Sequence, residues 1–281
     1  MLAPTSTFTR DGLYVEQFVP TTPPLGVVVV THGYAEHCGR YRELDEVIVA
    51  AGWAVVAYDV RGHGKSAGTR GYIERFDEYL TDLDAMLASA RTLVPPGAPL
   101  VLLGHSHGSL ITLRRLCAGT PAGVVAAIVA SPFLRLRLAV PAYRKVLAAI
   151  ASRVAPKLAQ PNALRVEDLT SDRGKQQERI ADTLCLGIAT ARWFTEAARA
   201  QQEVAATASK ITVPVTWLVG GDDPIADPAQ SRAVADMIAG TDYHDLKGLK
   251  HEVFNETTRA HVFDLVTAAL ATARSATASR A

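Results

Sequence analysis

The segment Leu100-Val101-Leu102-Leu103-Gly104-His105-Ser106-His107-Gly108 carries the signals of a buried strand, a tight turn and a helix in direct succession. Its apolar start suits a strand that is buried on both faces. Glycines at both ends of the turn let the strand and the following helix approach each other closely. A Gly-x-Ser-x-Gly turn in this context holds its serine in a strained, exposed conformation. The segment therefore predicts that Ser106 is a nucleophile at the carboxyl end of a parallel strand.

Similar apolar runs recur along the chain, and a Gly-rich turn or a helical pattern follows each one. The runs cover residues 27–30, 53–58, 100–103, 124–130 and 215–219. Helical patterns cover residues 41–51, 73–92, 107–118, 228–239 and 255–272. This alternation predicts an α/β fold with a mainly parallel, doubly wound sheet. The chemistry should then lie at the carboxyl ends of the strands.

Residues 133–210 interrupt this alternation, because they show helical patterns and no convincing strand. We predict a core formed by residues 1–132 and 211–281, with 133–210 inserted as a helical cap over the strand ends. The first part of the insertion alternates Lys and Arg with apolar residues and has no acidic residue before Glu167. Such a segment could contact a membrane surface or guide an amphiphile. A cap helix with a solvated basic face is the alternative.

Composition narrows the class of protein. The chain has 281 residues, 29 Lys and Arg against 28 Asp and Glu, and a formal net charge of +1. This balance argues against a nucleic-acid binder. The cysteines Cys38, Cys117 and Cys185 are widely spaced, so neither a disulfide framework nor a zinc site is indicated. No signal peptide or membrane-spanning stretch is apparent, and we expect a cytoplasmic protein that could lie at a membrane surface.

A nucleophilic serine needs a histidine base and an acid that orients it, here in the chain order Ser, acid, His. Asp222 and Asp223 both follow the apolar run 215–219. We choose Asp223, because it directly precedes Pro224, and Asp222 remains the alternative. Asp227 is better placed to cap the helix that follows it.

Only three histidines lie beyond the predicted acid: His244, His251 and His261. His251 occupies a turn-like stretch before the last helix, where a base must lie. His244 falls in a strand-like segment and His261 within the last helix, so both are expected to be structural. We therefore predict that His251 deprotonates Ser106 while Asp223 holds its tautomer.

Two backbone N–H groups are candidates for an oxyanion hole. The amide of His107 follows the nucleophile at the start of a helix, and the amide of Tyr34 follows the four-valine run. A metal site at His32 and His37 is not indicated, because their spacing with one glutamate is no zinc pattern. His32 is expected to fix its loop through side-chain hydrogen bonds.

The segment 59–66, Asp-Val-Arg-Gly-His-Gly-Lys-Ser, lacks the spacing of a phosphate-binding loop. Asp59 is also an improbable nucleophile, since no Gly-x-Ser-x-Gly-type turn surrounds it. We expect Asp59 to anchor this loop through hydrogen bonds to Arg61 and neighbouring backbone.

Together these motifs resemble the monoacylglycerol lipase and lysophospholipase branch of the α/β-hydrolases. The resemblance rests on His-Gly-x-x-Glu-His at 32–37 with Arg-Tyr at 40–41, the segment 59–66, the turn at 104–108, the Asp-Pro at 223–224 and the late His251. It implies a triad of Ser106, Asp223 and His251, amides of Tyr34 and His107, a cap that admits lipid-like substrates, and no metal or organic cofactor. The chain departs from the family directly after the nucleophile, where the family usually has Met-Gly-Gly and this chain has His107-Gly108-Ser109.

These observations predict a carboxylic-ester hydrolase that acts on monoacylglycerol or lysophospholipid-like esters through an acyl-serine intermediate. Its partner would be a small amphiphilic ester, and no nucleic acid. A peptidase or amidase on the same scaffold is one alternative, because the triad chemistry is shared. A catalytically silent binding protein of the same fold is another.

Overall fold

The computed structural model describes residues 3–138 and 140–278, and a mixed β-sheet runs through its centre. The strands are β1 (Ser6–Arg10), β2 (Leu13–Phe18), β3 (Val27–Thr31), β4 (Ala54–Tyr58), β5 (Leu100–His105), β6 (Val124–Ala130), β7 (Ala159–Pro161), β8 (Ile188–Thr190), β9 (Val215–Gly220) and β10 (Thr241–Leu246). The central sheet has the order β1-β2-β4-β3-β5-β6-β9-β10. All its strands from β4 to β10 in this order are parallel, which confirms the predicted sheet.

The part of the chain that the structure describes contains nine α-helices. They are α1 (Arg42–Ala50), α2 (Asp77–Ala90), α3 (His107–Cys117), α4 (Ala142–Val154), α5 (Val166–Leu169), α6 (Arg173–Ala181), α7 (Ala191–Thr207), α8 (Pro228–Ala235) and α9 (Arg259–Ala278). Apolar residues of α2, α3, α7 and α8 share one core cluster, while those of α1 and α9 share the other. The sheet is therefore doubly wound, as predicted.

Strand β3 shows why the apolar runs have no polar alternation. Val27 and Val29 belong to the core on the α3 side, and Val28 and Val30 belong to the core on the α1 side. All four side chains are fully buried. Full burial of a side chain of this size stabilises the fold by about 1.5–3 kcal/mol, so every residue of the run contributes to one of the two cores.

The antiparallel hairpin of β1 and β2 at one sheet edge did not follow from the sequence patterns. Strand β1 is mostly exposed and reads Ser-Thr-Phe-Thr-Arg, with only Phe8 partly buried. A solvated edge strand needs no continuous apolar run. Its pairing with β2 is specified by the partner strand and by the turn at Asp11 and Gly12.

Residues 133–210 contain α4 to α7, but they also contain two short strands that were not expected. Strands β7 and β8 pair in antiparallel fashion as a separate two-stranded sheet. Each is three residues long, and β7 is exposed along its whole length, so neither produces a hydrophobic pattern. Helix α7 packs against α3 and contributes Trp193 and Ala197 to the core on that side. The division into core and cap stays a prediction.

Candidate active site

Ser106 lies between β5 and α3 with φ 50° and ψ −112°, a backbone conformation that non-glycine residues rarely adopt. The backbone on both sides of the turn is in close contact: a Cβ at Gly108 would lie 2.0 Å from the carbonyl oxygen of Thr31. The strained turn is therefore present as predicted. Ser106 is only 7% exposed, so its hydroxyl faces an internal cavity instead of bulk solvent, because residues 133–210 cover it.

The structure brings the predicted triad residues together. His251 Nε2 lies 2.8 Å from Ser106 Oγ, and His251 Nδ1 lies 2.7 Å from Oδ2 of Asp223. All three side chains are buried. Because Asp223 accepts a hydrogen bond from the Nδ1–H group of His251, Nε2 carries no proton and can accept the hydrogen bond of the serine hydroxyl. This is the arrangement in which a histidine can act as general base toward a serine.

The other candidates for the acid and the base of the triad lie away from Ser106. Asp222 is exposed. His244 contacts Asp242 at 3.1 Å on an edge strand, and His261 is exposed on α9. Asp227 accepts the backbone N–H of Ala229 and caps α8, as expected.

The two candidate oxyanion amides come from neighbouring strands. Strands β3 and β5 are parallel, with Thr31 paired to Gly104. Tyr34 and His107 each lie three residues beyond that pair. A Cβ at Gly33 would lie 3.2 Å from the Cβ of Ser106, so this loop lies directly against the nucleophile. Among the described backbone hydrogen bonds, neither the N–H of Tyr34 nor that of His107 has a protein acceptor.

The loops behind the site are held as expected, with one exception. His32 Nε2 accepts the backbone N–H of Val60 at 2.8 Å, so His32 fixes its loop. Asp59 accepts the backbone N–H groups of Cys38 and Lys65. The predicted hydrogen bond between Asp59 and Arg61 is wrong. Arg61 forms salt bridges with Glu78 and Asp82 of α2 instead.

A chain of buried charges beside the triad was not foreseen from the sequence. Glu36 contacts Arg40 and His105, while Glu252 contacts Arg40 and Arg179. Burial by itself would raise the pKa of Glu36, but the hydrogen bond from His105 and the nearby arginines hold it well below its usual range. Burial likewise opposes the charged form of His105, yet Glu36 raises the pKa of this histidine.

These residues come from distant parts of the chain, and of them Glu36, Arg40 and His105 fall within recognised motifs. Arg179 comes from α6 and Glu252 follows the proposed base. The network therefore joins residues 133–210 to the loops of the site. No local sequence pattern indicates such a pairing.

The side chain of His107 is fully buried among aromatic rings. The rings of Tyr34, Phe76, Tyr79 and Trp193 lie edge-on to it, with centroid distances of 5.0–5.9 Å. Burial lowers the pKa of His107 well below its usual range. The imidazole is therefore neutral near pH 7, and its Nε2 lies 3.3 Å from the indole nitrogen of Trp193.

An apolar cavity of about 960 Å³ opens onto Ser106 and His251. Most of its wall comes from residues 133–210, and the apolar lining includes Phe133, Leu136, Leu147, Ile150, Val154, Leu158, Trp193 and Phe194. Glu36, Arg179 and Glu252 line a polar part of the same cavity. The cavity can therefore take an apolar chain while presenting charged, mutually paired groups to the rest of a ligand.

In the part of the chain that the structure describes, one cluster of three side chains is of the kind that could bind a metal ion. It consists of His37, Asp182 and Cys185, whose potential ligand atoms lie within 4.8 Å of one another. Gly39 N–H donates to Nδ1 of His37, which leaves the ring proton on Nε2 facing Asp182 at 2.6 Å. His37 thus donates to Asp182 and presents no free lone pair to a metal. The contact joins the loop after β3 to residues 133–210, which include Asp182.

The fold and the site define a class. The model of a protein family described as "Serine aminopeptidase, S33" matches residues 22–258. The chain belongs to this family, and its mostly parallel sheet with helices on both faces is the α/β-hydrolase fold.

Individual relatives narrow the class further. The chain is 32% identical to a monoacylglycerol lipase of Mycolicibacterium smegmatis over 262 residues, which cover 89% of each protein. It is 29% identical to phospholipase YtpA of Bacillus subtilis, over 85% of this chain and 93% of that protein. The crystal structure of the Paleococcus ferrophilus monoacylglycerol lipase superposes with a TM-score of 0.84 and 28% identity, covering 93% of this chain and 99% of that one. The chain is thus a monoglyceride lipase-like α/β-hydrolase, a serine enzyme that hydrolyses carboxylic esters.

Proposed function

We propose that this enzyme hydrolyses esters of the monoacylglycerol or lysophospholipid type, with Ser106 as nucleophile, His251 as base and Asp223 as the orienting acid. One observation carries the proposal: the hydrogen-bonded chain from Asp223 through His251 to Ser106 ends at the surface of a large apolar cavity. A serine hydroxyl placed there meets the ester group of a substrate whose acyl chain occupies the cavity.

In the first half of the reaction, His251 Nε2 takes the proton of Ser106 as Oγ attacks the ester carbonyl. Asp223 stabilises the imidazolium and keeps Nδ1 protonated. The amides of Tyr34 and His107 donate to the oxyanion of the tetrahedral intermediate. A single donor of this kind contributes roughly a factor of 100–1,000 to kcat.

In the second half, His251 gives its proton to the leaving alcohol, and the acyl group stays on Ser106. Water then attacks the acyl-serine with His251 again as base, which releases the fatty acid and restores the hydroxyl. Apart from the attacking water, each step uses the side chains and amides named above.

The lining of the cavity supports a lipid-like ester over a peptide. Its volume lies at the upper end of the roughly 300–1,000 Å³ typical of ligand pockets, and its long wall is apolar. An aminopeptidase must bind the ammonium group of its substrate, which calls for a free carboxylate. Among the described residues that line the cavity, Glu36 and Glu252 are the carboxylates, and both are already paired with arginines.

We further propose that residues 133–210 act as a cap that contacts membranes. Helix α4 exposes Tyr143, Val146, Leu147 and Ile150, each more than half exposed, beside basic side chains. Tyr143, Leu147 and Ile150 also line the cavity, so the exposed apolar face is continuous with its wall. A lipid could pass from a bilayer to Ser106 along this face. No described helix is long and apolar enough to cross a membrane.

The test compares wild type with Ser106→Ala on monoacylglycerols, lysophospholipids and p-nitrophenyl esters of several chain lengths, and with a fluorophosphonate probe. Ser131→Ala is the matched control, because this nearby buried hydroxyl has no hydrogen-bond partner among the described residues. We expect Ser106→Ala alone to lose turnover and labelling while its circular dichroism is unchanged. Ester hydrolysis by folded Ser106→Ala would exclude this mechanism.

A further inference from the structure

We propose that Trp193 is a positioning residue, which aligns the two oxyanion amides by holding the side chains of both residues that carry them. The inference rests on the proposed function, because it assigns Tyr34 and His107 to the oxyanion hole. It concerns a side chain of α7, which lies in the inserted segment and has no place in the triad.

The first contact is a hydrogen bond to His107. The indole Nε1 of Trp193 lies 3.3 Å from Nε2 of His107. An indole N–H can only donate, so Nε2 must accept and the ring proton must sit on Nδ1. A neutral imidazole is required for this bond, in agreement with the full burial of His107 among aromatic rings.

The second contact is a ring stack on Tyr34. The rings of Tyr34 and Trp193 have centroids 3.7 Å apart and planes inclined by 29°. The hydroxyl of Tyr34 donates to the carbonyl oxygen of Ile188 at 2.9 Å, on strand β8. The side chain of Tyr34 is thus held by two elements of the inserted segment, although its backbone belongs to the loop after β3.

Trp193 is itself firmly held. It is 5% exposed, and its ring is parallel to that of Phe133, with a 6.1 Å centroid distance. Its backbone is fixed at the N-terminus of α7, where Thr190 caps the helix. A displacement of α7 would therefore move the side chains of both Tyr34 and His107. Oxyanion donors act only when they lie about 2.7–3.1 Å from the developing charge, so small displacements affect turnover.

The contacts of Trp193 explain why His107, an unusual residue at this position, follows the nucleophile. A methionine at position 107 would offer only a weak sulfur acceptor to the indole N–H. The imidazole of His107 supplies a good acceptor in an otherwise aromatic enclosure. The contact acts on the transition state, so its loss should lower kcat and leave KM nearly unchanged.

The test is a double-mutant cycle with Trp193→Phe, His107→Met and the double variant, measured on p-nitrophenyl butyrate. Trp193→Phe keeps an aromatic ring for Tyr34 but removes the N–H. A neutral hydrogen bond contributes about 0.5–1.5 kcal/mol, so each single variant should lower kcat by roughly 2- to 12-fold. The double variant should lose no more than the worse single variant, because one shared interaction is removed.

Phe194→Leu is the comparison variant. Phe194 lies next in sequence on α7 and lines the cavity, so its truncation should change KM more than kcat. Unchanged kcat in both single variants, or losses that multiply in the double variant, would overturn the inference. If wild type hydrolyses no ester, the proposed function fails instead, and the two failures are therefore distinct.

Should Trp193→Phe fail to fold, His107→Met decides the question. This variant leaves Trp193 in place and removes the nitrogen acceptor of its indole N–H. A lower kcat at constant KM supports positioning by Trp193, and an unchanged kcat contradicts it.

Discussion

The carboxylate of Asp223 divides its two oxygens between His251 and the backbone of the next turn. Oδ2 lies 2.7 Å from Nδ1 of His251, while Oδ1 accepts the N–H groups of Ile225 at 2.8 Å and Ala226 at 3.0 Å. The turn after β9 thereby fixes the carboxylate before it meets the imidazole. The aspartate is a rigid part of the loop, and its direction sets the direction of the histidine.

Replacing Asp223 with Asn should lower kcat by roughly 10⁴-fold with little loss of structure. The amide can still accept from the backbone through its oxygen, but its NH₂ then faces Nδ1 and favours the tautomer with a proton on Nε2. That tautomer cannot take the proton of Ser106. Steady-state kinetics with p-nitrophenyl butyrate measure the effect.

The neighbouring substitution Asp222→Asn removes an exposed carboxylate one residue away and is the control. It should retain wild-type kcat. Equal losses in both variants would assign the effect to the charge of the turn instead of the contact with His251.

Gly108→Ala should destabilise the protein strongly. A Cβ at this position would lie 2.0 Å from the carbonyl oxygen of Thr31, which is backbone and cannot rotate away. We expect a loss of more than about 3 kcal/mol in the free energy of unfolding, measured by urea denaturation. Gly187→Ala is the control, because a Cβ there meets no atom within 4 Å. Similar stability of the two variants would mean that β3 and α3 can move apart at little cost.

Asp45 makes stability depend on pH in a direction opposite to that of a paired carboxylate. It is fully buried on α1, and neither side-chain oxygen has a hydrogen-bond partner among the described residues. Burial raises the pKa of Asp45 well above its usual range. Between about pH 4 and that raised pKa, the unfolded chain releases a proton that the folded state keeps. Stability should therefore fall as pH rises, by up to about 1.4 kcal/mol per pH unit.

Asp45→Asn removes this titration. We expect its free energy of unfolding to match wild type near pH 4 and to exceed it increasingly as the pH rises toward the raised pKa of Asp45, as measured by urea denaturation. Glu46→Gln, an exposed neighbour on the same helix, should follow the wild-type curve. A variant curve parallel to wild type would show that Asp45 does not titrate in this range.

The double substitution Val146→Ser and Ile150→Ser should weaken binding to vesicles of phosphatidylcholine and phosphatidylglycerol by roughly tenfold or more, since both side chains are proposed to enter the lipid. Sedimentation with and without added salt measures this, and salt should weaken the basic contribution. Ile180→Ser removes an apolar side chain that is 61% exposed on α6, and it should bind like wild type. Unaltered binding of the double variant would exclude α4 as the contact.

The sequence predicted the parts of the molecule whose signals are local. Apolar runs such as 27–30 and 215–219 identified the parallel strands, because burial on both faces leaves no room for polar alternation. The turn around Ser106 was recognisable because its glycines are required by the close approach of β3, β5 and α3. Chain order and turn chemistry then selected Asp223 and His251, which the structure places together.

Other features depend on contacts between distant segments. Arg179 and Glu252 are 73 residues apart in the sequence, and only the fold brings their charges together. Trp193 gave no signal of its own, since an aromatic residue on an apolar helix face is ordinary. The strands β7 and β8 are three residues long, which is too short to form a pattern.

The pairing of Thr31 with Gly104 has a consequence for how such an enzyme can change. The amides of Tyr34 and His107, which we propose as oxyanion donors, each follow that pair by three residues, and neighbouring strands lie about 4.8 Å apart in any sheet. Backbone hydrogen bonds set this spacing between the strands, so a side-chain substitution does not easily change it. Side chains outside this pair can be exchanged to admit other esters or to adjust the orientation of the proposed donors, while the two strands that precede the donors keep their spacing.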